Sequence, residues 1–401
     1  MIQKNLIRIG LIALAVAHSD ASANFFARFA TLVRSGLKTT QPKPHMAKRL
    51  ALTTAIASGT GLMCKDKIAN APEDQTELAP IFYQKKYNIS PFWGLEKALH
   101  AFDGCKYGKI AAHLQKIFAI NRFRSTGKVT DADLEKVHEK SYLATLNNSA
   151  TIARIVEVPI LRLFPASFLQ YSFLDPMRYA TQGTVEAARA ALQHGWAINL
   201  SGGYHHAKSD RGGGFCVFND ALLAAKKLRE SNPGLKILII DFDAHAGNGN
   251  ADPNFQDGTK LTYIFDMYNR DYYPLGDNMQ HVDFPHGLKA GIKTEQYLSV
   301  MKKNLPQAIE KVKPDLIIYN AGTDIYEKDP LGGMSVSKQG IIERDEFVFQ
   351  QARGGTKPIP IVMILSGGYT PESASIIGES IENFVKKNNL VPIREPKLDK
   401  K

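Results

Sequence analysis

The chain has 401 residues, 44% of them hydrophobic, enough apolar material for one large α/β domain or two smaller ones. Its net charge of +11 invites a nucleic-acid reading, but residues 1–65 alone hold nine Lys or Arg against one acid, Asp20. The rest carries only +3, an ordinary solvated surface, so direct nucleic-acid binding is not expected; nor, without a run of about eighteen apolar residues, is a transmembrane catalytic domain.

Residues 1–65 read as a targeting-like or disordered segment. Lys4 and Arg8 precede the apolar run Ile9 to Ala17, and Ala21-Ser22-Ala23 has the small-x-small form of a signal-peptidase site, which favours export. Arg28, Arg34 and Lys38, set among Phe, Leu, Ser and Thr, instead continue in the manner of an organelle transit peptide. Translation from Met46, which opens a second basic-then-apolar unit, would leave the protein in the cytoplasm or nucleus. Residues 66–79 are polar with Pro72 and read as a linker, residues 80–390 as the folded domain, and residues 391–401 as a charged tail. Cys64, Cys105 and Cys216 are too widely spaced for a disulfide framework or a Cys-x-x-Cys zinc site, and Cys216 is expected to be a buried small hydrophobe.

Order is expected to begin at Pro80-Ile-Phe-Tyr, a short strand. Helices are expected over Lys109–Ile120, Asp131–Leu146 and Thr184–His194, the last stopping at Gly195. From there the pattern becomes strand, polar loop, helix. Strands are read at Trp196–Leu200, Lys236–Ile240, Leu261–Phe265, Leu316–Tyr319 and Ile359–Leu365; helices at Asp220–Glu230, Thr294–Val312 and Ile376–Lys387. Such alternation implies a single α/β domain with a mostly parallel sheet and helices on both faces, whose ligand sits beyond the carboxyl ends of the strands.

Four strand ends carry unusual residues. Lys236-Ile-Leu-Ile-Ile runs into Asp241-Phe-Asp243-Ala-His245-Ala-Gly-Asn248, and in extended geometry Asp241, Asp243 and His245 point to one side. Two carboxylates and an imidazole directly after a buried strand are costly without a ligand or close partners. Asp243, His245 and Asp324, the last from Asn320-Ala-Gly-Thr-Asp, make three N/O ligands, the number a catalytic zinc takes. Tandem His205 and His206, after Leu200-Ser-Gly-Gly-Tyr, suit proton transfer; Asp241 could orient one of them and Asn248 the other. Tyr369, on Ser366-Gly367-Gly368, could donate to an oxyanion.

The order Gly-Gly-Tyr-His-His, Asp210-Arg-Gly-Gly-Gly-Phe-Cys216, Asp-Phe-Asp-Ala-His-Ala-Gly-Asn-Gly, Asn-Ala-Gly-Thr-Asp and Ser-Gly-Gly-Tyr resembles the zinc-dependent histone deacetylase family over roughly residues 80–388. Tyr87-Asn-Ile, Gly94-Leu-Glu-Lys, Tyr268-Asn-Arg and Asp329-Pro-Leu-Gly-Gly-Met-Ser-Val-Ser are most similar to its class IV branch. The resemblance implies an arginase-like fold and metal-assisted hydrolysis of an acyl-lysine on a protein or peptide; the residues leave open a small acylated amine, such as an acetylpolyamine, as substrate, and a catalytically silent acyl-lysine binding protein. It implies one Zn2+ on Asp243, His245 and Asp324, a base centred on His206 with His205 as partner, and Tyr369 on the carbonyl. Gly214, Phe215 and Tyr273 would line the acyl-lysine channel, with Gly332 and Gly333 at its rim. Asn248 stands where the first class has an Asp, which leaves the second histidine with a neutral partner. Relatives hold a monovalent cation near Asp241; Phe265-Asp266, where a Ser-Leu pair is common, speaks against one here.

Overall fold

Among the described residues seven parallel strands form one sheet in the order β1-β2-β7-β6-β3-β4-β5. They are β1 (Ile81–Phe82), β2 (Trp196–Asn199), β3 (Ile237–Asp241), β4 (Thr262–Asn269), β5 (Phe284–Leu288), β6 (Leu316–Asn320) and β7 (Ile361–Ile364). The structure is a computed structural model and describes residues 79–90, 102–120, 122–255, 260–275 and 279–390. The targeting-like segment, the linker apart from Ala79, and the C-terminal tail lie outside these residues.

Every residue of β2, β3, β6 and β7 is buried, so these strands are covered on both faces, as their unbroken apolar runs require. Each buried Ile or Leu of β3 contributes roughly 2 kcal/mol of hydrophobic stabilisation. Among the described residues the cover comes from six longer helices: α1 (Lys106–Phe118), α2 (Asp175–His194), α3 (Asp220–Arg229), α4 (Thr294–Val312), α5 (Lys338–Arg353) and α6 (Ser373–Lys387). One group packs α2 on α3 and against β2 and β7; another packs α5 on α6 and α6 on α1. The described parts of 66–89 and 101–401 belong to one compact unit, and no helix among the described residues is long and apolar enough to cross a membrane.

Local chemistry sets the helix ends. Pro176 is the second residue of α2, where the preceding Gln170–Leu174 turn passes into α-helix, and Gly195, at φ 82°, ends α2 with its N–H on the Ala191 carbonyl, 2.7 Å away. Asn219 caps α3 and Ser337 caps α5, each side chain accepting a first-turn N–H.

Three expectations change. The single helix over 131–146 is two short turns, Asp131–Leu134 and Lys140–Thr145. Between them His138 Nδ1 bonds the Lys208 carbonyl and the Glu139 N–H bonds that of Ser209, so tertiary contacts overrule local periodicity. Strand β5 and helix α5 were not expected. Cys105 is disulfide-bonded, which the reading of no disulfide framework missed, whereas Cys216 is free and buried as expected.

Candidate metal centre and catalytic site

Chain direction along the sheet reverses between β3 and β6: β4 and β5 follow β3 to one side, and β6 and β7 lie to the other. Loops must part there, and a crevice opens at the carboxyl ends of the strands. The side chains singled out from the sequence gather at this switch point.

Asp243 and His245 follow β3, and Asp324 follows β6. One ligand atom from each lies within 4.8 Å of the others, and all three residues are buried. The Nδ1 of His245 stands 3.0 Å from an Asp243 oxygen and 2.9 Å from an Asp324 oxygen. The remaining carboxylate oxygens are held by the protein: Asp324 accepts the Ala244 N–H at 2.8 Å, and Asp243 accepts the Ser366 hydroxyl at 2.8 Å and the Gly367 N–H at 2.9 Å. A Cβ at Gly367 would fall 2.5 Å from Asp324 Oδ2 and 2.6 Å from Asp243 Oδ2. Glycine therefore keeps the space between the carboxylates open. Two carboxylates, one imidazole and this cradle fit a divalent cation.

The tandem histidines diverge in partner. His205 Nδ1 donates to Asp241 Oδ2 at 2.9 Å, and His206 Nδ1 donates to Asn248 Oδ1 at 2.8 Å. Burial works against charge on both rings. At His205 the carboxylates of Asp241 and Asp243 overcome it and raise the pKa to about 9. At His206 burial and the neighbouring His205 and His245 push the pKa well below the ordinary imidazole value. His206 is thus neutral, with its Nε2 lone pair free of the Asn248 bond. Asp241 is fixed in turn by Asn320 Nδ2 at 2.8 Å and Asn250 Nδ2 at 3.2 Å. Asp266 lies level with it on β4; burial and the Asp241 charge hold its carboxyl well above the usual range, and its Oδ1 has no hydrogen-bond partner.

Tyr369 sits on a strained turn, with Ser366 at φ 49° and Gly368 at φ 127°. Its ring lies 6.5 Å from that of His245 and 5.8 Å from that of Phe215. Burial and the charges of Asp243 and Asp324 raise its pKa far above the usual phenol value, so it remains an O–H donor. Tyr273 closes the other side, its ring 5.1 Å from His206 and its hydroxyl against Gly213. Gly214 takes φ 52° with no room for a side chain beside the His206 ring, and Phe215 follows at φ 64°. Gly333, at φ 61°, packs under the Tyr272 ring, and the buried Gly332 donates to Asp329 Oδ1 at 3.2 Å. The side chains expected from the sequence to act together, Asp241, Asp243, His245, His205, His206, Asn248, Asp324 and Tyr369, thus lie close to one another, with Phe215 and Tyr273 beside them.

Others were missed. Lys106, fully buried on α1, donates to the carbonyls of Ser366 at 2.7 Å and Gly367 at 3.2 Å; burial lowers its pKa to about 8 against the pull of Asp324 and Asp243. Asp329 Oδ2 accepts the Tyr369 N–H at 2.8 Å while Oδ1 accepts that of Leu331 at 3.0 Å, tying tyrosine to rim. Asp220 accepts the N–H groups of Gly203 and Tyr204 at 3.0 and 2.8 Å, fixing the turn before His205. Lys106 and Asp220 belong to no motif read from the sequence, and Asp329 opens one without its side chain having been given a role.

This sheet, with its site at the switch point, has the arginase/deacetylase architecture. It is similar to the crystal structure of the HDA15 HD domain, with a TM-score of 0.60 at 18% identity, over 78% of this chain and 92% of that one. It is also similar to acetylpolyamine aminohydrolase from Burkholderia pseudomallei, with a TM-score of 0.58 at 16% identity, over 76% and 98%. At such identities the likeness speaks for the fold alone.

Sequence carries the assignment further. Residues 100–386 match the histone deacetylase domain, and the chain is 41% identical over 318 residues to histone deacetylase 2 of Arabidopsis thaliana, covering 77% of this chain and 79% of that protein. It is 32% identical over 236 residues to an uncharacterised protein of Picosynechococcus, covering 59% and 75%. The chain belongs to the histone deacetylase family, whose members are typically metal-dependent, and membership supports an amidohydrolase activity.

Proposed function

We propose that this protein hydrolyses acyl-lysine amides with one Zn2+ held by Asp243, His245 and Asp324. The observation that carries the reading is the joint presence, around one buried Asp-His-Asp group, of a neutral His206, a carboxylate-paired His205 and the Tyr369 hydroxyl. A divalent ion in this place supplies Lewis acidity, which polarises a carbonyl and acidifies water. Phe215 and Tyr273 hold the lysine stem between them and exclude water from the scissile amide. His206, its Nδ1 hydrogen engaged by Asn248, takes a proton at Nε2 as water attacks. His205, kept charged by Asp241, stabilises the negative charge that develops. Tyr369 donates to the oxyanion, and the proton on the histidine pair passes to the leaving lysine amine. A free lysine and a carboxylic acid result.

From the class IV-like motifs of the sequence we infer that long fatty acyl groups are better substrates than acetyl. The test is turnover of acetyl- through myristoyl-lysine peptides by the zinc-loaded protein, beside Tyr369→Phe and His206→Ala. Removing the tyrosine donor should cost on the order of 10²–10³ in kcat. Absence of turnover across the panel despite bound zinc would sink the acyl-lysine assignment.

One observation favours a small acylated amine as an alternative. Glu157, at φ 54°, has its carboxyl raised by burial against the pull of His245 and the Gly214 backbone, which places it near the channel. An acidic group near the channel suits a substrate with a second ammonium. Faster turnover of acetylputrescine than of any peptide, lost in Glu157→Gln, would select that reading.

A further inference from the structure

The β3–β6 ladder ends at the switch point. Its last bond runs from the Phe242 N–H to the Asn320 carbonyl at 2.9 Å, and beyond it the two loops that carry Asp243 and Asp324 have no strand pairing to hold them together. A guanidinium takes over. Arg344, fully buried on α5, donates from one nitrogen, Nη1, to the Gly322 carbonyl at 2.6 Å and the Phe242 carbonyl at 3.2 Å. Phe242 immediately precedes Asp243, and Gly322 lies two residues before Asp324. A Cβ at Gly322 would come within 2.6 Å of the Asp243 Cα, so the loops are in contact above that nitrogen.

The guanidinium is itself fixed. Its Nε donates to Asp345 Oδ1 at 2.8 Å, and Asp345 also accepts the Tyr319 hydroxyl and, at 2.5 Å, that of Ser380 on α6. Tyr319 belongs to β6 and presents its ring 5.9 Å from the guanidinium carbon. Such a buried ion pair is weak evidence for stability, because desolvation offsets most of its attraction. It does supply direction: a planar fork reaches two carbonyls and a carboxylate at fixed angles, as a lysine ammonium cannot.

We propose that Arg344 is a positioning residue for the metal centre, setting the separation of Asp243 and Asp324 through the Phe242 and Gly322 carbonyls. The inference rests on the metal reading above. Groups that orient ligands from behind typically govern metal affinity by 10–100-fold. The full-length protein is compared with Arg344→Met, Arg344→Lys and Ser380→Ala. The readouts are Zn2+ affinity by chelator competition, the d–d absorption of the Co2+ form, and denaturant stability. Both Arg344 variants should bind Zn2+ at least about tenfold more weakly, with altered Co2+ bands. Ser380→Ala, at the far end of the same network, should lose stability while keeping the wild-type affinity and spectrum. Arg344→Lys keeps a charge and provides the test if Arg344→Met does not fold. Wild-type affinity and spectrum in a folded Arg344 variant would overturn the clamp and leave the metal reading intact. No ion bound by the wild-type protein would instead overturn the metal reading, and this inference with it.

Discussion

The floor of the crevice and its rim are built on opposite terms. On the floor, Asp241, Asp243, His205, His206 and Asp324 are buried, each has a hydrogen-bond partner at or below 3.0 Å, and glycines remove side chains wherever one would intrude. At the rim, Tyr272, Tyr273 and Leu275 are 40%, 48% and 72% exposed, on the loop after β4. Chemistry is thus placed where geometry is over-determined. Substrate selection falls to a surface that can change without disturbing it.

The sharpest way to break this contrast is to add one methyl group to the floor. Gly367→Ala should fold yet lose on the order of 100-fold in activity, because displacing a reacting group by about an ångström costs that much. A circular dichroism melt with turnover on the same sample checks both halves. Near-normal turnover would show that the floor is softer than its contacts imply.

Outside the floor, one buried histidine carries a pH liability. His138 donates from Nδ1 to the Lys208 carbonyl at 2.9 Å and accepts the Asn219 N–H on Nε2 at 3.0 Å, a pattern only a neutral ring satisfies. Burial, opposed by its backbone bonds to Lys208 and Ser209, lowers its pKa to about 4. Above an unfolded value of about 6.5 neither state is protonated there; as pH falls from about 6.5 to about 4 only the unfolded chain takes up the proton, so stability declines. The total is on the order of 3 kcal/mol. Urea unfolding from pH 8 to 4 should show this fall in the wild type and a flatter profile in His138→Gln. Parallel profiles would reject the assignment.

Floor meets rim at Asp329, whose two oxygens accept three N–H groups, from Leu331, Gly332 and Tyr369. An Asn is isosteric but must turn its amide hydrogens toward one of these donors. Asp329→Asn should lower kcat about tenfold through a misplaced Tyr369 while KM changes little. A KM effect alone would assign Asp329 to the rim. The smallest effect should come from the rim itself: Tyr273→Ala is expected to raise KM a few-fold and to leave stability within about 0.5 kcal/mol of the wild type. A kcat loss as large as that of Gly367→Ala would move Tyr273 to the floor.

What the sequence reveals follows the same division. β3 and β6 are legible because unbroken apolar runs stop abruptly at Asp241 and Asn320, and the partners of His205 and His206 follow from which polar groups share those strand ends. Helix α5 is hidden because Arg344 and Asp345 lie on its buried face, which spoils the apolar stripe that marks a helix. Edge strand β5 is hidden by Pro285 and Gly287, which are tolerated because β4 is its only described neighbour. Lys106 and Asp220 act through backbone groups distant in sequence, and Asp329 joins its local turn to the distant Tyr369 N–H, contacts that residue identity does not announce. The disulfide of Cys105 was equally invisible from spacing.

The strand order has one further consequence, for how the protein is made. β7, last in sequence, inserts in the middle of the sheet, between β2, which leads to the tandem histidines, and β6, which leads to Asp324. A ribosome releasing this chain produces both flanks before it produces the strand that joins them, and that same strand delivers Tyr369. A chain that ends before β7 therefore lacks both the strand that joins these flanks and the Tyr369 hydroxyl.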